Sequence, residues 1–309
     1  MQYCGLDVIP EIPPATVLKF VRAGMYVLVT LIVTVMDAKF NTQENSWCSK
    51  KEDRRTLLSD ISSLHKSGDY SNFRKIHSLC AGVSGANHDR AKGELDYILK
   101  NNPSIITNNL DKILECDSFG NPPLHTFPNK ILTIKCSDSI SPPLYDLTKL
   151  TENFGSLPSN LSIIEIGCGF GIETKIFHDL VGYKSYTHVD LPDMLMLQSV
   201  YLSHFSVPNV KYINANEDIK SVESEYDLFL SNFAFTEISS DAQKLYFDSV
   251  IKKCRMGIVV GKMATHIDTV RFNKLTKVQL GWFESNFNVR LEEHNPYNRG
   301  KILYFWKEV

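Results

Sequence analysis

From Leu161 onward the chain alternates short apolar runs with amphipathic ones, and this alternation limits the fold more than any other feature. The apolar runs are "LSIIEIG", "SYTHVD", "VKYINA", "YDLFLSNF" and "GIVVGKM". Between them lie stretches with apolar residues at 3–4 spacing, such as "DMLMLQSVYLSHF" and "SDAQKLYFDSVIKKC". Continuous apolar strands are buried on both faces, and intervening helices supply the crossovers of a parallel sheet. After the helical "VRFNKLTKVQLGWFE" come two further strand patterns, "NVRLEEH" and "ILYFWKE", separated only by "NPYNRGK". A parallel crossover needs a dozen or more residues, so this last pair is expected to be antiparallel. The expectation is an α/β fold with a mostly parallel sheet, an antiparallel last strand and helices on both faces.

The preceding half reads differently. Residues 41 to about 110 carry three short amphipathic helical patterns, in "KKEDRRTLLSDISSLHKSGD", "NFRKIHSLCAG" and "HDRAKGELDYILKNNP". Between Asp117 and Pro143 the texture turns to Pro, Gly and Ser around one β-rich island, "KILTIKC", as a connector would. "LYDLTKLTENFG" then places Leu144, Leu147, Leu150 and Phe154 in helical register. Three regions follow: an apolar N-terminal segment over 1–40, a helical lid and connector over 41–156, and the sheet domain over 157–309. The helical region would cover the open edge of the sheet and exclude water.

In the first region, Ala23 to Met36 is uncharged and mostly apolar, and residues 17–36 reach spanning length only by including Lys19 and Arg22. A bilayer core takes ~20 apolar residues, so a single-pass anchor and an ordinary buried element both fit, and with them a membrane-anchored or a cytoplasmic protein. A cleaved signal peptide fits less well, because more than twenty residues, among them Asp7 and Glu11, precede the apolar core. A net charge of −2 with no long Lys/Arg block argues against nucleic acid as a partner. The seven cysteines form no CxxC pair, which suggests free thiols rather than a zinc knot or disulfide framework. The oligomeric state is left open, and Asn160-Leu-Ser is only a formal glycosylation acceptor.

The first strand of the sheet runs into "EIGCGFG", where Gly167, Gly169 and Gly171 are spaced G-x-G-x-G. In an open α/β sheet this first strand-to-helix turn is where a nucleotide-like ligand meets backbone, and residues without Cβ let it lie close. A dinucleotide fingerprint would need G-x-G-x-x-G, and the third position after Gly169 is Ile172. Glu165 would repel a diphosphate but suits a ligand carrying ammonium and sulfonium charge. A tight packing turn with no ligand is the alternative.

"EIGCGFG" resembles the first motif of S-adenosylmethionine (SAM)-dependent methyltransferases, and five strands closed by a hairpin resemble their Rossmann-like class I sheet. "DSFGNPP", "ISPPLYDLTKLTENFGSL", "IIEIGCGFG", "VDLPDMLMLQSVYLS" and "SNFAFTEIS", in this order from Asp117 to about Gly261, resemble a family of sugar O-methyltransferases. That family more usually reads G-G-G-Y-G-G through the turn, where this chain has Cys168, Phe170 and Ile172. The resemblance implies SAM as cofactor, held by Glu165, Gly167, Cys168, Gly169, Gly171, Asp190, Leu191, Asn216 and Asn232, with Asp190 on the ribose hydroxyls. A sugar or glycan hydroxyl is the implied acceptor; a small-molecule O- or N-methyltransferase with another acceptor, and a SAM-binding module without catalysis, are the alternatives. "SNFAF" lacks the Asn/Asp-Pro-Pro-aromatic sequence common among amino-group methyltransferases, which favours oxygen over nitrogen.

A hydroxyl needs a base to take its proton as the new bond forms. The loops after the fourth and fifth strands supply Glu237 and His266, the expected catalytic residues. Glu237 reads alternatively as a helix-capping carboxylate and His266 as a solvated surface residue. Glu237 with Asp268 would suit a divalent ion, a reading not favoured over metal-free catalysis. His178 and His188 read as packing residues, and Asp193 and Asp241 as helix starts.

Overall fold

Helices α1 (Lys51–Ser67), α2 (His77–Val83) and α3 (His88–Asn101) are the three amphipathic patterns of the N-terminal half. Leu57, Ile61 and Leu64 form the buried stripe of α1, and the Asn87 side chain caps α3 by accepting from the Arg90 amide. Two short helices, α4 (Ser104–Thr107) and α5 (Leu110–Glu115), extend the helical stretch beyond the expected limit. In the connector, β1 (His125–Phe127) and β2 (Ile134–Cys136) form an antiparallel hairpin in which His125 faces Cys136. The β-rich island thus narrows to its last three residues. Helix α6 (Ser141–Phe154) follows, with Pro142 and Pro143 in its first turn, where their missing N–H groups cost nothing.

The computed structural model describes residues 51–83, 87–216, 219, 222, 225–261, 275–294 and 300–308. The apolar segment 17–36, like all of 1–50, lies outside the described residues, as do His266 and Asp268. Among the described residues, no helix is long and apolar enough to cross a membrane.

The sheet half runs β3 (Ser162–Ile166), α7 (Ile172–Leu180), β4 (Ser185–Asp190), α8 (Pro192–His204) and β5 (Val210–Asn214). It continues with β6 (Tyr226–Asn232), α9 (Ala234–Glu237), α10 (Ser240–Ser249), β7 (Cys254–Gly261), α11 (Lys277–Glu284), β8 (Asn288–Glu293) and β9 (Lys301–Trp306). Asp193 and Asp241 stand in the first turns of α8 and α10, as expected of helix-starting acids. The strand order is β5-β4-β3-β6-β7-β9-β8, parallel except for β9, which is antiparallel to both neighbours. The last two strands pair antiparallel as their short link requires, and β9 inserts between β7 and β8. This is the Rossmann-like sheet of the class I methyltransferase fold.

Burial explains the texture of the strands. In β6, Leu228 and Leu230 enter one core with Ile163, Ile258 and Ile302, while Phe229 enters the other with Ile164, Val259 and Phe305. β8 is the edge strand and exposes Asn288, Arg290, Leu291 and Glu293, whose charges discourage edge pairing. The first core also contains apolar residues of α1 to α8, so the N-terminal helices and one face of the sheet share a single interior. α6 is tied to the sheet edge by Lys149, whose Nζ lies 2.8 Å from Glu292.

Candidate functional site

The turn after β3 needs glycine for reasons the geometry makes explicit. Gly167 and Gly169 hold φ of +74° and +54°, in the region that L side chains rarely enter. A Cβ on Gly167 would lie 2.1 Å from the Ala234 Cβ, and one on Gly169 would lie 2.9 Å from the Val83 carbonyl oxygen. Two other elements therefore rest on the turn: α9, which follows β6, and the end of α2. Part of the glycine requirement is thus internal packing. Gly171 serves as the residue before α7, in a left-handed conformation.

Behind the turn lies a buried set of acids drawn from four elements. Glu165 of β3 accepts from the Tyr186 hydroxyl at 2.7 Å, and its carboxyl is within hydrogen-bond reach of Glu173 in α7. Asp146 of α6 accepts from Asn232 Nδ2 at 2.7 Å. Glu94 of α3 accepts from Arg90 Nε at 2.6 Å and from the Ser141 hydroxyl at 2.7 Å. Arg90 also donates to Asn232 Oδ1 at 3.3 Å and lies over the Phe233 ring. His294 Nε2 sits 3.2 Å from Glu94 Oε1, off the line of a good hydrogen bond.

These groups cannot all be ionised. Burial pushes Asp146 up to about 7, and burial raises Glu165 and, further, Glu173, which is also next to the Glu165 charge. Glu173 therefore holds the proton that it shares with Glu165. Glu94 is the exception: burial opposes its charge, but Arg90, His294 and Ser141 together hold it below the usual carboxylate range. Burial lowers His294 and keeps it neutral, which leaves Arg90 the one permanent cation named in this network. Asp146 Oδ1 and Glu173 Oε1 have no hydrogen-bond partner, an expensive condition for buried oxygens. An acid surplus with two orphan acceptors is a cradle for positive charge.

Asp190 closes β4 one strand away. Its Oδ2 accepts from the Cys168 amide at 3.1 Å and from Gln198 Nε2 at 2.8 Å, and its Oδ1 from the Leu191 amide at 2.8 Å. Burial nevertheless lifts it to about 6. A carboxylate offers about four lone-pair directions, so one is left, on the Oδ1 side. Gln198 also donates through Nε2 to the Gly169 carbonyl and accepts at Oε1 from His188 Nδ1, so Asp190, the glycine turn and α8 form one unit. His188 is engaged at both nitrogens, by Thr174 and Gln198, and packs as the sequence suggested. Cys168 is buried, and burial pushes its thiol well above its ordinary range.

The remaining sequence candidates are spread more widely. Asn216 is exposed, its amide bonded to Asn214 Oδ1 in the turn after β5. Asn232 belongs to the acid network rather than to an open rim. Glu237 ends α9, one helical turn beyond the Ala234 that touches Gly167, and is half-buried. His266 lies outside the described residues. Sequence reasoning missed Arg90, Glu94, Asp146, Glu173, Tyr186 and Gln198. Asp146 carried a signal: Pro142 and Leu150, four residues to either side, put it on a fully buried helical face.

Beside the turn, a pocket of about 110 Å3 opens between α2, the connector and Phe170. Its walls combine apolar Phe73, Leu79 and Pro122 with His125, Ser137 and Asp138.

No protein-family model matches the chain, and no curated protein does. Among solved structures, it is similar to a SAM-dependent methyltransferase from Aquifex aeolicus, at 16% identity and TM-score 0.40 over 52% of this chain and 88% of that one. It is also similar to an rRNA methylase from Streptococcus thermophilus, at 11% identity and TM-score 0.40 over 53% and 96% of the respective chains. At this distance nothing about the reaction follows from either likeness.

Proposed function

We propose that this chain is a SAM-dependent O-methyltransferase acting on a hydroxyl of a sugar or glycan. The observation that carries the reading is the buried acid surplus of Asp146, Glu165 and Glu173, with two unpartnered oxygens, behind a glycine turn at the carboxyl end of β3. A diphosphate would meet repulsion there, whereas ammonium and sulfonium charge would let the shared protons leave. SAM, when bound, would supply a sulfonium methyl group to an acceptor oxygen approaching in line, with the thioether as leaving group. Glu165, Asp146 and Glu173 would hold its cationic end, and the open Oδ1 direction of Asp190 would receive a ribose hydroxyl.

The acceptor assignment rests on the sequence resemblance over residues 117 to about 261, supported by the mixed polar and apolar pocket against Phe170. Holding the acceptor oxygen in line removes much of the entropic barrier. Glu237, one turn from the Gly167 contact, and His266 are the residues proposed to take its proton. The apolar walls of Phe73, Leu79, Pro122 and Phe170 favour, as a second reading, a less polar small molecule bearing a hydroxyl.

The test has two stages. SAM at a hundredfold excess over its Kd should stabilise the chain by about 2.7 kcal/mol, read as a rise in Tm, and Asp190→Ala should abolish the rise. A rise with NADH and none with SAM would reject the reading. Labelled SAM with a panel of sugars, nucleotide sugars, glycans and phenolic hydroxyl compounds then separates the acceptors. Glu237→Gln and His266→Ala identify the base; full rate in both rejects that assignment while leaving the cofactor standing.

A further inference from the structure

We propose that His88, His125 and Asp138 form a binding site for a divalent transition-metal ion at the edge of the pocket. The three residues come from separate elements: His88 opens α3, His125 opens β1 and Asp138 opens the short 3-10 turn before α6. One ligand atom from each lies within 4.8 Å of the other two. Hairpin register is what joins two of them, because His125 pairs with Cys136, two residues before Asp138. The third arrives through α3, which packs beside the hairpin and stacks His88 on Phe127 with ring centroids 5.0 Å apart.

Both imidazoles address the same oxygen. His125 Nδ1 is 2.7 Å and His88 Nδ1 3.7 Å from Asp138 Oδ1, and the two rings meet edge to face at 5.0 Å. A simple ion pair has no use for the second ring, since two imidazolium ions at that separation around one carboxylate would repel each other. A metal uses both rings in the neutral form. Ligands at metal–nitrogen distances of about 2.1 Å stand roughly 3.4 Å apart around a tetrahedral ion, a spacing that lies between the 2.7 Å and 3.7 Å separations of the two rings from Asp138 Oδ1.

The donor set selects the ion. Two imidazole nitrogens and one carboxylate suit zinc, cobalt, nickel, iron or manganese, whereas magnesium and calcium favour all-oxygen shells. Three protein ligands leave at least one position open, as in sites that hold a ligand rather than purely structural ones. His125 and Asp138 also line the pocket, so an oxygen donor of the pocket's occupant, a hydroxyl or carboxylate, would complete the shell. Among the described residues, the other close group of ligand-type side chains, Glu165, Cys168 and His188, is spent internally, because both His188 nitrogens are already bonded. The site also differs from the Glu237 and Asp268 pairing considered from the sequence, and it stands independently of the methyl-donor reading.

The test uses the full chain, stripped with chelator, and titrates zinc by calorimetry and cobalt by visible absorption. The expected result is one saturable ion per chain with cobalt d–d bands, lost in His125→Ala and Asp138→Asn. His88→Ala, at an exposed side chain, should lose the same binding while remaining folded by circular dichroism, and His77→Ala should keep it. Stoichiometric binding that survives all three ligand variants would overturn the proposal. So would the absence of saturable binding with zinc, cobalt, nickel and manganese.

Discussion

Gly167 is where the demands of a single residue are most tightly set. Its φ of +74° and the 2.1 Å approach of a would-be Cβ to Ala234 are separate obstacles to any side chain. Gly167→Ala should therefore destabilise the chain by about 1–3 kcal/mol from overpacking, with a backbone penalty added. Ala234→Gly in the same chain removes the overlap and leaves the backbone penalty, so the double variant should regain part of the loss. Urea denaturation of the four chains measures both parts; strictly additive losses would mean that the two residues do not touch. Phe233, just before Ala234, holds φ +65° and ψ −34° without being glycine, a conformation that costs roughly 1–3 kcal/mol and tends to occur at working sites. Its ring lies over Arg90 at the edge of the acid network. The glycines were legible one by one in the sequence. The acids behind them were not: nothing in local pattern separates Arg90 and Glu94, four apart on a helix, from an ordinary exposed pair, and their burial comes from the contacts of α3 with Ser141, Phe233 and His294.

Among the elements, the strands were legible as short continuous apolar runs buried on both faces, and the long helices by apolar spacing near 3.6 residues. The short pieces were not. α4, α5 and the β1–β2 hairpin take their form from what they pack against, and the insertion of β9 between β7 and β8 leaves no trace in local pattern. One residue organises much of this. Arg74, in the turn after α1, donates to the Cys116 carbonyl, Asp117, Ser137 and Ser139 and lies over the Phe170 ring. It clasps α5, the hairpin and the glycine turn together. Arg74→Met removes the cation paired with the buried Asp117 and should cost about 3–5 kcal/mol. The loss should be local: hydrogen exchange should quicken over residues 117–140 while amides of β3, β4 and β6 keep their protection. Equal loss of protection in the sheet would show that the clasp carries the whole fold.

At the scale of the molecule, the acid surplus makes stability depend on pH in an uncommon direction. Burial raises Asp146 and Glu165 to about 7 and Asp190 to about 6 from ordinary values near 4, so over that interval the folded chain binds more protons than the unfolded one. These acids make stability fall as pH rises from about 4 to 7, the reverse of the behaviour of paired carboxylates, and the buried, neutral His188 and His294 offset part of that fall below about 6.5. The apo chain should melt at a higher temperature at pH 5.5 than at pH 8, and Asp146→Asn should flatten the slope. A melting temperature that climbs across this range would show that the acids are ionised and paired. Because binding of a cationic donor favours the ionised acids, its uptake near neutrality should release protons, measurable by calorimetry in buffers of different ionisation enthalpy.

The meeting of Gly167 with Ala234 has one more effect. The bends that follow the first and fourth strands of the seven-stranded sheet are meshed like the teeth of two cogs, with no slack for a methyl group between them. A shift of either bend towards the other meets immediate steric resistance, and Phe233 and Glu237 flank the residue that makes that contact.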